Sequence, residues 1–362
     1  FWKRKTDDQD APTGVEPFIL DSDTPSQPTE FELKLYINGK KYIYQLILSP
    51  KDILSEKLHV YNSNQPSLLM HRELVDSNTA LKFNQSLIKV SAAVKDELTA
   101  KCLKNMSLFA ARKAVNCNLG EIDDVRDWMI NHTLPVIDLG QKMFNYAERN
   151  MLENPDAKKH LLDFCHNIGF NIEDMAVEKD YMSLTPEMIQ FIKSSGQLSD
   201  ENASKLSKDP KMPNGFKTDF IVSVINKRGK EIYTLPKASQ SEGTLRAMGI
   251  ETALYVAEQN NKLLPIDEIE TSMHPLLLKF MIQSFLKVQS RSQLLLTTHY
   301  DPLFTAVDDY LRKDSFWLMD KRDDGHSELY PLISKNGVNK MGSLQRAYLN
   351  NKLGALPQIA NV

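Results

Sequence analysis

Cysteine is scarce in this chain of 362 residues: there are three, Cys102, Cys117 and Cys165. Their number is odd and they lack metal-ligand spacing, which argues against a disulfide framework or a zinc module and for reduced thiols in a cytoplasmic protein. No apolar run approaches the ~18 residues that a bilayer-crossing helix needs, so no membrane partner is expected. No segment has the basic, apolar, small-residue order of a secretory leader. Charge of one sign is not in excess either. The formal net charge is −3, which gives no electrostatic footprint for nucleic acid or an anionic membrane. A nucleic-acid partner is left open but not indicated. Internal repeats and low-complexity tracts are also missing.

What remains is ordinary for a soluble globular protein: 41% apolar and 25% charged residues. The length suits one elaborated domain or two modest ones. Residues 1–30 are polar and irregular, with Pro17-Phe18-Ile19-Leu20 as a short apolar anchor. Phe31, Leu33, Leu35 and Ile37 then alternate with polar residues. Asn38-Gly39 follows, and Tyr42, Tyr44, Leu46 and Leu48 alternate again. Two such runs around Asn-Gly predict a hairpin, so residues 1–85 are expected to form an antiparallel β part whose sheet begins near residue 31. Apolar residues between 86 and 168 recur at loosely helical intervals, and Asn154-Pro155-Asp156 predicts a helix start. Residues 86–215 are therefore expected to form a mainly helical insertion, the natural place for partner contacts, with a loop and short helix at 194–216. Its histidines, His132, His160 and His166, suggest no chemistry. A second hairpin is predicted over 217–235, around Lys227-Arg228-Gly229-Lys230.

From 240 onward the pattern becomes α/β. A helix over Glu242–Gln259, a strand Leu263–Ile266, a helix from Pro275 to about Val288 and a strand Leu294–Thr297 imply parallel pairing. Both strands lack alternation, as strands covered on both faces do. A last antiparallel pair is expected at 316–319 and 329–333.

Three short segments of this region, 216–362, carry chemistry. The strand Leu263–Ile266 ends in Asp267-Glu268, which puts two carboxylates at the C-terminal edge of a parallel sheet, where ligands bind in open α/β folds. Asp267 can hold a divalent cation. Glu268 points the other way, because strand residues alternate, and can orient a water. The next strand ends in Thr297-Thr298-His299, so its imidazole reaches the same edge. Ser239-Gln240-Ser241-Glu242-Gly243-Thr244 precedes the long helix, and small hydroxyl residues with glycine at a helix start expose N–H groups to an anion. Each has a plain alternative: a strand capped by acids for solubility, a hydrogen-bonded histidine, an ordinary serine N-cap.

Taken in order, the three resemble the half-site of an ABC-type ATPase: signature loop, Walker B acid pair with catalytic glutamate, D-loop and switch histidine. The resemblance is sharpest to bacterial AAA-type ATP-binding proteins related to the overcoming-lysogenization-defect and Rlo-type ATPases, which are similar to SMC-type ABC ATPases and often sit in phage-defence operons. Their signature runs Glu-Ser-x-Gly-Thr, against Gln240-Ser241-Glu242-Gly243-Thr244 here. Their acidic motif is matched by Asp267, Glu268, Glu270, Ser272, Met273, His274 and Pro275, with Met for Leu, and their Thr-Thr-His is intact. Residues 348–357 resemble their closing segment. The resemblance implies a P-loop NTPase fold of ABC type, with an antiparallel β subdomain and a helical insertion, and it implies ATP and Mg2+ as cofactors. It gives Asp267 to the metal, Glu268 and His299 to catalysis, Ser241, Gly243 and Thr244 to nucleotide, and Ser272 and His274 to the D-loop. It also implies a head-to-tail homodimer or higher homo-oligomer with composite sites, controlling a separately encoded effector such as a nuclease, in anti-phage defence.

One departure stands out. No Gly-x-x-x-x-Gly-Lys-Ser/Thr occurs; Gly39-Lys40 and Gly229-Lys230 sit in hairpin turns. The chain starts at Phe1 rather than Met, and the phosphate-binding loop is expected on a segment upstream. The glutamine of the Q-loop has no assignable position. Two other functions compete: a metal-dependent nuclease built on Asp267, Glu268 and Glu270, and a non-hydrolysing scaffold bridged by ATP.

Overall fold

The computed structural model describes residues 3–4, 6–180, 190, 219–307 and 309–357. The chain forms two compact units, Phe1–Thr133 with Asp301–Val362, and Leu134–Tyr300. The loop and short helix expected at 194–216 lie outside the described residues.

The first unit opens with a five-stranded antiparallel meander: β1 (Thr29–Ile37), β2 (Lys40–Leu48), β3 (Ile53–Tyr61), β4 (Pro66–Val75) and β5 (Asn78–Phe83). The predicted hairpin is present. Ile37 pairs with Lys40, and Asn38 and Gly39 both have positive φ, 51° and 80°, as a two-residue turn matching strand twist requires. Alternation on β2 buries Tyr42, Tyr44, Leu46 and Leu48. They pack with β3 and β4 against α1 (Ala92–Lys101), α2 (Leu108–Ala111) and α3 (Glu121–Asn131). Two buried charges cross this core. Arg72 donates to the carbonyls of Ile53, Leu103 and Lys104. Glu56 accepts from Tyr44 Oη at 2.9 Å and from the Leu108 N–H at 2.6 Å, while burial pushes its carboxyl above the usual range.

The second unit, Leu134–Tyr300, begins with two helices, α4 (Phe144–Glu153) and α5 (Pro155–Asn167). Asn154 caps α5 through its side chain, with Pro155 in the first turn, as predicted. A three-stranded antiparallel sheet follows: β6 (Ile172–Asp180), β7 (Asp219–Arg228) and β8 (Glu231–Pro236). β6 falls in the stretch expected to be mainly helical. Its Glu, Met and Ala favour helix locally, and pairing along β7 overrides that propensity.

The α/β part then runs α6 (Glu242–Gln259), β9 (Leu263–Ile266), α7 (Pro275–Lys287) and β10 (Gln293–Leu296). β9 and β10 are parallel, with Leu263 opposite Gln293 and Ile266 opposite Leu296. On the other side of β9, the Leu134 N–H donates to the Leu263 carbonyl, the Ile137 N–H to that of Pro265, and the Asp267 N–H to that of Ile137. β9 is thus flanked by extended chain on both sides. β10 is more open than its apolar sequence suggested: Leu295 is 59% exposed, since among the described residues only β9 pairs with it. α6 is the central element, buried from Arg246 to Leu254. It lies so close to α4 that a Cβ on Gly249 would fall nearer than 3.0 Å to the Met143 backbone.

The closing part of the first unit is a hairpin, β11 (Trp317–Lys321) and β12 (Ser327–Pro331), with α8 (Leu344–Leu349). Phe304, Leu318, Leu332, Val338 and Leu344 form its small core. No described helix is long and apolar enough to cross a membrane. The three cysteines are free, and burial pushes the thiols of Cys102 and Cys165 up to about 11 and about 12.

Candidate active site

Parallel pairing of β9 and β10 sets their C-terminal ends side by side, and the loops leaving those ends interlock. The Thr297 N–H continues the ladder to the Ile266 carbonyl at 3.0 Å. Its hydroxyl donates to Asp267 Oδ1 and accepts from the Glu268 N–H, the latter at 2.9 Å. One threonine therefore orients the first acid and fixes the peptide of the second. The Ile269 N–H then donates to the Thr297 carbonyl at 3.3 Å.

Glu268 itself has φ +45°, left-handed backbone that a residue with a Cβ rarely adopts. Such conformations persist where surrounding bonds hold them, and they cluster at functional sites. Here the turn sends the Glu268 side chain toward the end of β10. Its Oε1 lies 3.9 Å from His299 Nε2, and the imidazole is 87% exposed. The pair is open to a ligand from solvent, and a water or phosphate oxygen can sit against both groups.

Glu270 is spent differently. Its Oε1 accepts from the His299 N–H at 2.7 Å, and Oε2 is buried without a partner among the described residues. It braces the His299 backbone. Among the described residues no group of three or more His, Cys, Asp and Glu side chains converges as a metal cage. One or two carboxylates of hard oxygen beside an open imidazole fit Mg2+, which keeps most of its waters and takes further ligands from substrate phosphates. Asp267, with one oxygen fixed by Thr297, is the residue that fits this role.

The loop before α6 is tied down at several points. Lys237 forms an ion pair with buried Glu148 on α4, and Gln240 Nε2 donates to Asn226 Oδ1 at 3.2 Å. Ser241 is the N-cap of α6. Its Oγ accepts from the Thr244 N–H at 3.1 Å and shares a hydrogen bond with Thr244 Oγ1 at 2.7 Å. Ser241 is exposed at the positive end of an 18-residue helix, so an anion can approach it. Gly243 packs on the loop after β9. A Cβ there would fall nearer than 3.0 Å to the Ser272 carbonyl oxygen and 3.5 Å from its carbon. Ser272 is itself left-handed, at φ +61°. His274 caps α7, its Nδ1 accepting from the Leu276 N–H at 3.2 Å.

The structure thus brings Asp267, Glu268, Thr297 and His299 into one cluster. It places Ser241, Gly243, Thr244 and Ser272 where the α6 tip meets the β9 loop, and His274 at the next helix start. Sequence reading missed two contributors. Leu134–Ile137 flanks the acid-bearing strand, and its signal was an apolar run ending in an acid, Leu134-Pro135-Val136-Ile137-Asp138, the same form as the run before Asp267. Arg246 is the other: it is 7% exposed and its Nη2 is 3.5 Å from the Glu268 carbonyl. An arginine on a helix gives no sequence signal of burial.

Comparison with known proteins adds a family. The model of the family described as "AAA domain, putative AbiEii toxin, Type IV TA system" matches residues 5–305. No curated protein matches the chain. Solved structures do, among them one titled "Structure of the recombination mediator protein RecF-ATP in RecFOR pathway", at 12% identity over 80% of this chain and 81% of that one. The TM-score between the two is 0.27.

Proposed function

Because this chain belongs to the AAA-domain family whose model spans residues 5–305, we propose that it binds and hydrolyses ATP with the cluster at the ends of β9 and β10. The family establishes the fold expected from the sequence, a P-loop NTPase of AAA/ABC-like type combining antiparallel sheet and helices. The observation that carries the proposal is the pairing of a threonine-oriented Asp267 with a Glu268–His299 contact of 3.9 Å on neighbouring parallel strands.

In this reading Asp267 would hold Mg2+, which when bound would supply charge neutralisation for the phosphates. Glu268 orients the attacking water and takes up its proton. His299, exposed to solvent, donates to a phosphate oxygen and reports whether one is there. The α6 tip at Ser241, Gly243 and Thr244 serves the nucleotide held by a second copy, with Ser272 and His274 at that interface. The active form is then a homodimer or larger assembly, and ATP turnover switches an associated effector. The family's description, "putative AbiEii toxin, Type IV TA system", favours a role in defence against phage. The engagement of Glu270 with the His299 backbone argues against a three-carboxylate nuclease.

The test is ATP turnover by the full-length protein. With Glu268→Gln, turnover is expected to fall by about 10²–10⁴-fold while MgATP binding persists. Cleavage of DNA or RNA by this protein alone, dependent on divalent metal, would replace the proposal with the nuclease. MgATP-dependent association without any turnover would replace it with the scaffold.

A further inference from the structure

The catalytic loop 268–272 is held at both ends by one face of α6. Gly243 admits the Ser272 carbonyl into the helix surface, at a distance no Cβ would allow. Arg246, three residues on and so on the same face, reaches the other end, with Nη2 3.5 Å from the Glu268 carbonyl. That carbonyl also accepts from the Thr271 N–H at 3.1 Å, so the Glu268 peptide is held from inside the loop and from the helix. It needs holding, since Glu268 is left-handed at φ +45° and Ser272 at +61°.

Arg246 is an expensive choice for packing alone. It is 7% exposed, and its Nε is buried with no hydrogen-bond partner among the described residues. Burying a guanidinium with a donor unspent opposes folding, and an apolar residue would fill the same space at lower cost. What arginine adds is a planar fork fixed on a rigid helix and aimed at the peptide that carries the proposed base.

We propose that Arg246 is a positioning residue: it holds the Glu268 peptide in the left-handed conformation that aims the carboxylate at His299. This rests on the ATPase reading above. The same helix begins at Ser241, the tip proposed to meet a neighbour's nucleotide. Arg246 and Gly243 then make α6 a rigid link by which engagement of that tip reaches the base of its own chain.

The experiment compares wild type, Glu268→Gln, Arg246→Ala and Arg246→Lys in the full-length protein, measuring kcat, KM for MgATP and thermal melting. Arg246→Lys keeps charge and most of the bulk but has no fork, and it guards against failure of the alanine variant to fold. Expected for Arg246→Lys is a 10-fold or greater loss of kcat, with KM within about threefold of wild type and melting within a few degrees. A purely structural arginine would lower melting and leave the kcat of the folded fraction alone. Wild-type kcat in a folded Arg246→Lys protein, with Glu268→Gln inactive, overturns the positioning role and leaves the ATPase reading standing. A Glu268→Gln protein as active as wild type overturns both.

Discussion

Gly243→Ala separates two reasons for a glycine in the α6 tip, because they predict opposite signs. A glycine in a helix costs about 0.5–1 kcal/mol relative to alanine, so substitution on an unobstructed helix stabilises the protein. Here the new methyl group would lie nearer than 3.0 Å to the Ser272 carbonyl oxygen, inside any ordinary carbon–oxygen contact. The obstruction is backbone in a left-handed turn, which cannot rotate away as a side chain could. Overpacking of this kind costs about 1–3 kcal/mol. Immovable backbone puts this case in the upper part of that range, about 2–3 kcal/mol, so the net after the helix gain is a loss of about 1–2.5 kcal/mol. For a chain of 362 residues, at about 2.1 cal/mol/K of unfolding entropy per residue, that lowers the melting temperature by roughly 1–3 °C. The assay is thermal unfolding of the nucleotide-free protein, where a role confined to a partner's phosphate would not register. A melting temperature equal to or above wild type would refute the close approach of α6 to the β9 loop, and the proposed brace on that loop with it.

Other perturbations probe the same site and its supports. Thr297→Val keeps shape but removes the hydroxyl shared by Asp267 and the Glu268 N–H; a 10-fold or greater loss of ATP turnover is expected, with stability lowered by no more than about 1 kcal/mol because the group is exposed. Glu258, near the end of α6, has its carboxyl pushed up to about 7 by burial and by neighbouring Glu251, with His160 acting the other way. Since folding raises this acid above its value of 4.5, the stability it contributes is full below pH 4.5 and is lost as pH rises through about 7. Glu258→Gln should therefore raise stability at pH 8 by about 1 kcal/mol after allowance for its partial exposure, read as a higher melting temperature, and not at pH 4.5; the same shift at both values would contradict the assignment. Leu58, fully buried on β3 in the core that the meander shares with the helices, should cost about 2–5 kcal/mol as alanine by chemical denaturation, and a loss below about 1 would contradict the meander core.

The parts of the fold that were legible are those whose signals are local. Asn38-Gly39 specifies a turn by its own backbone preference, and Ser241, His274 and Pro275 mark helix starts by chemistry within a few residues. The short apolar strands of the α/β part were readable for their lack of alternation. Pairing across sequence was not: β6 has helix-forming residues, and Leu134–Ile137 joins β9 only through hydrogen bonds to residues more than a hundred positions away. In the site, the acids and the histidine announced themselves by residue type at strand ends. Their geometry depends on groups that sequence treats as background. Thr297 acts through a hydroxyl shared between two acids, and Arg246 through burial. Gly243 acts by what it leaves out, and its neighbour Ser272 by a backbone oxygen. Such roles are properties of contact between loops, invisible until both loops are placed.

The central claim is that Glu268 and His299 act as one hydrolytic unit at adjacent strand ends. A double-mutant cycle on single-turnover ATP cleavage by the full-length protein tests it, with Glu268→Gln, His299→Ala and the pair. If the two work on the same water and phosphate, each single change should cost 10²-fold or more, and the double variant should lose little beyond Glu268→Gln alone. Losses that multiply, or a Glu268→Gln protein that still cleaves ATP at the wild-type rate, would contradict it.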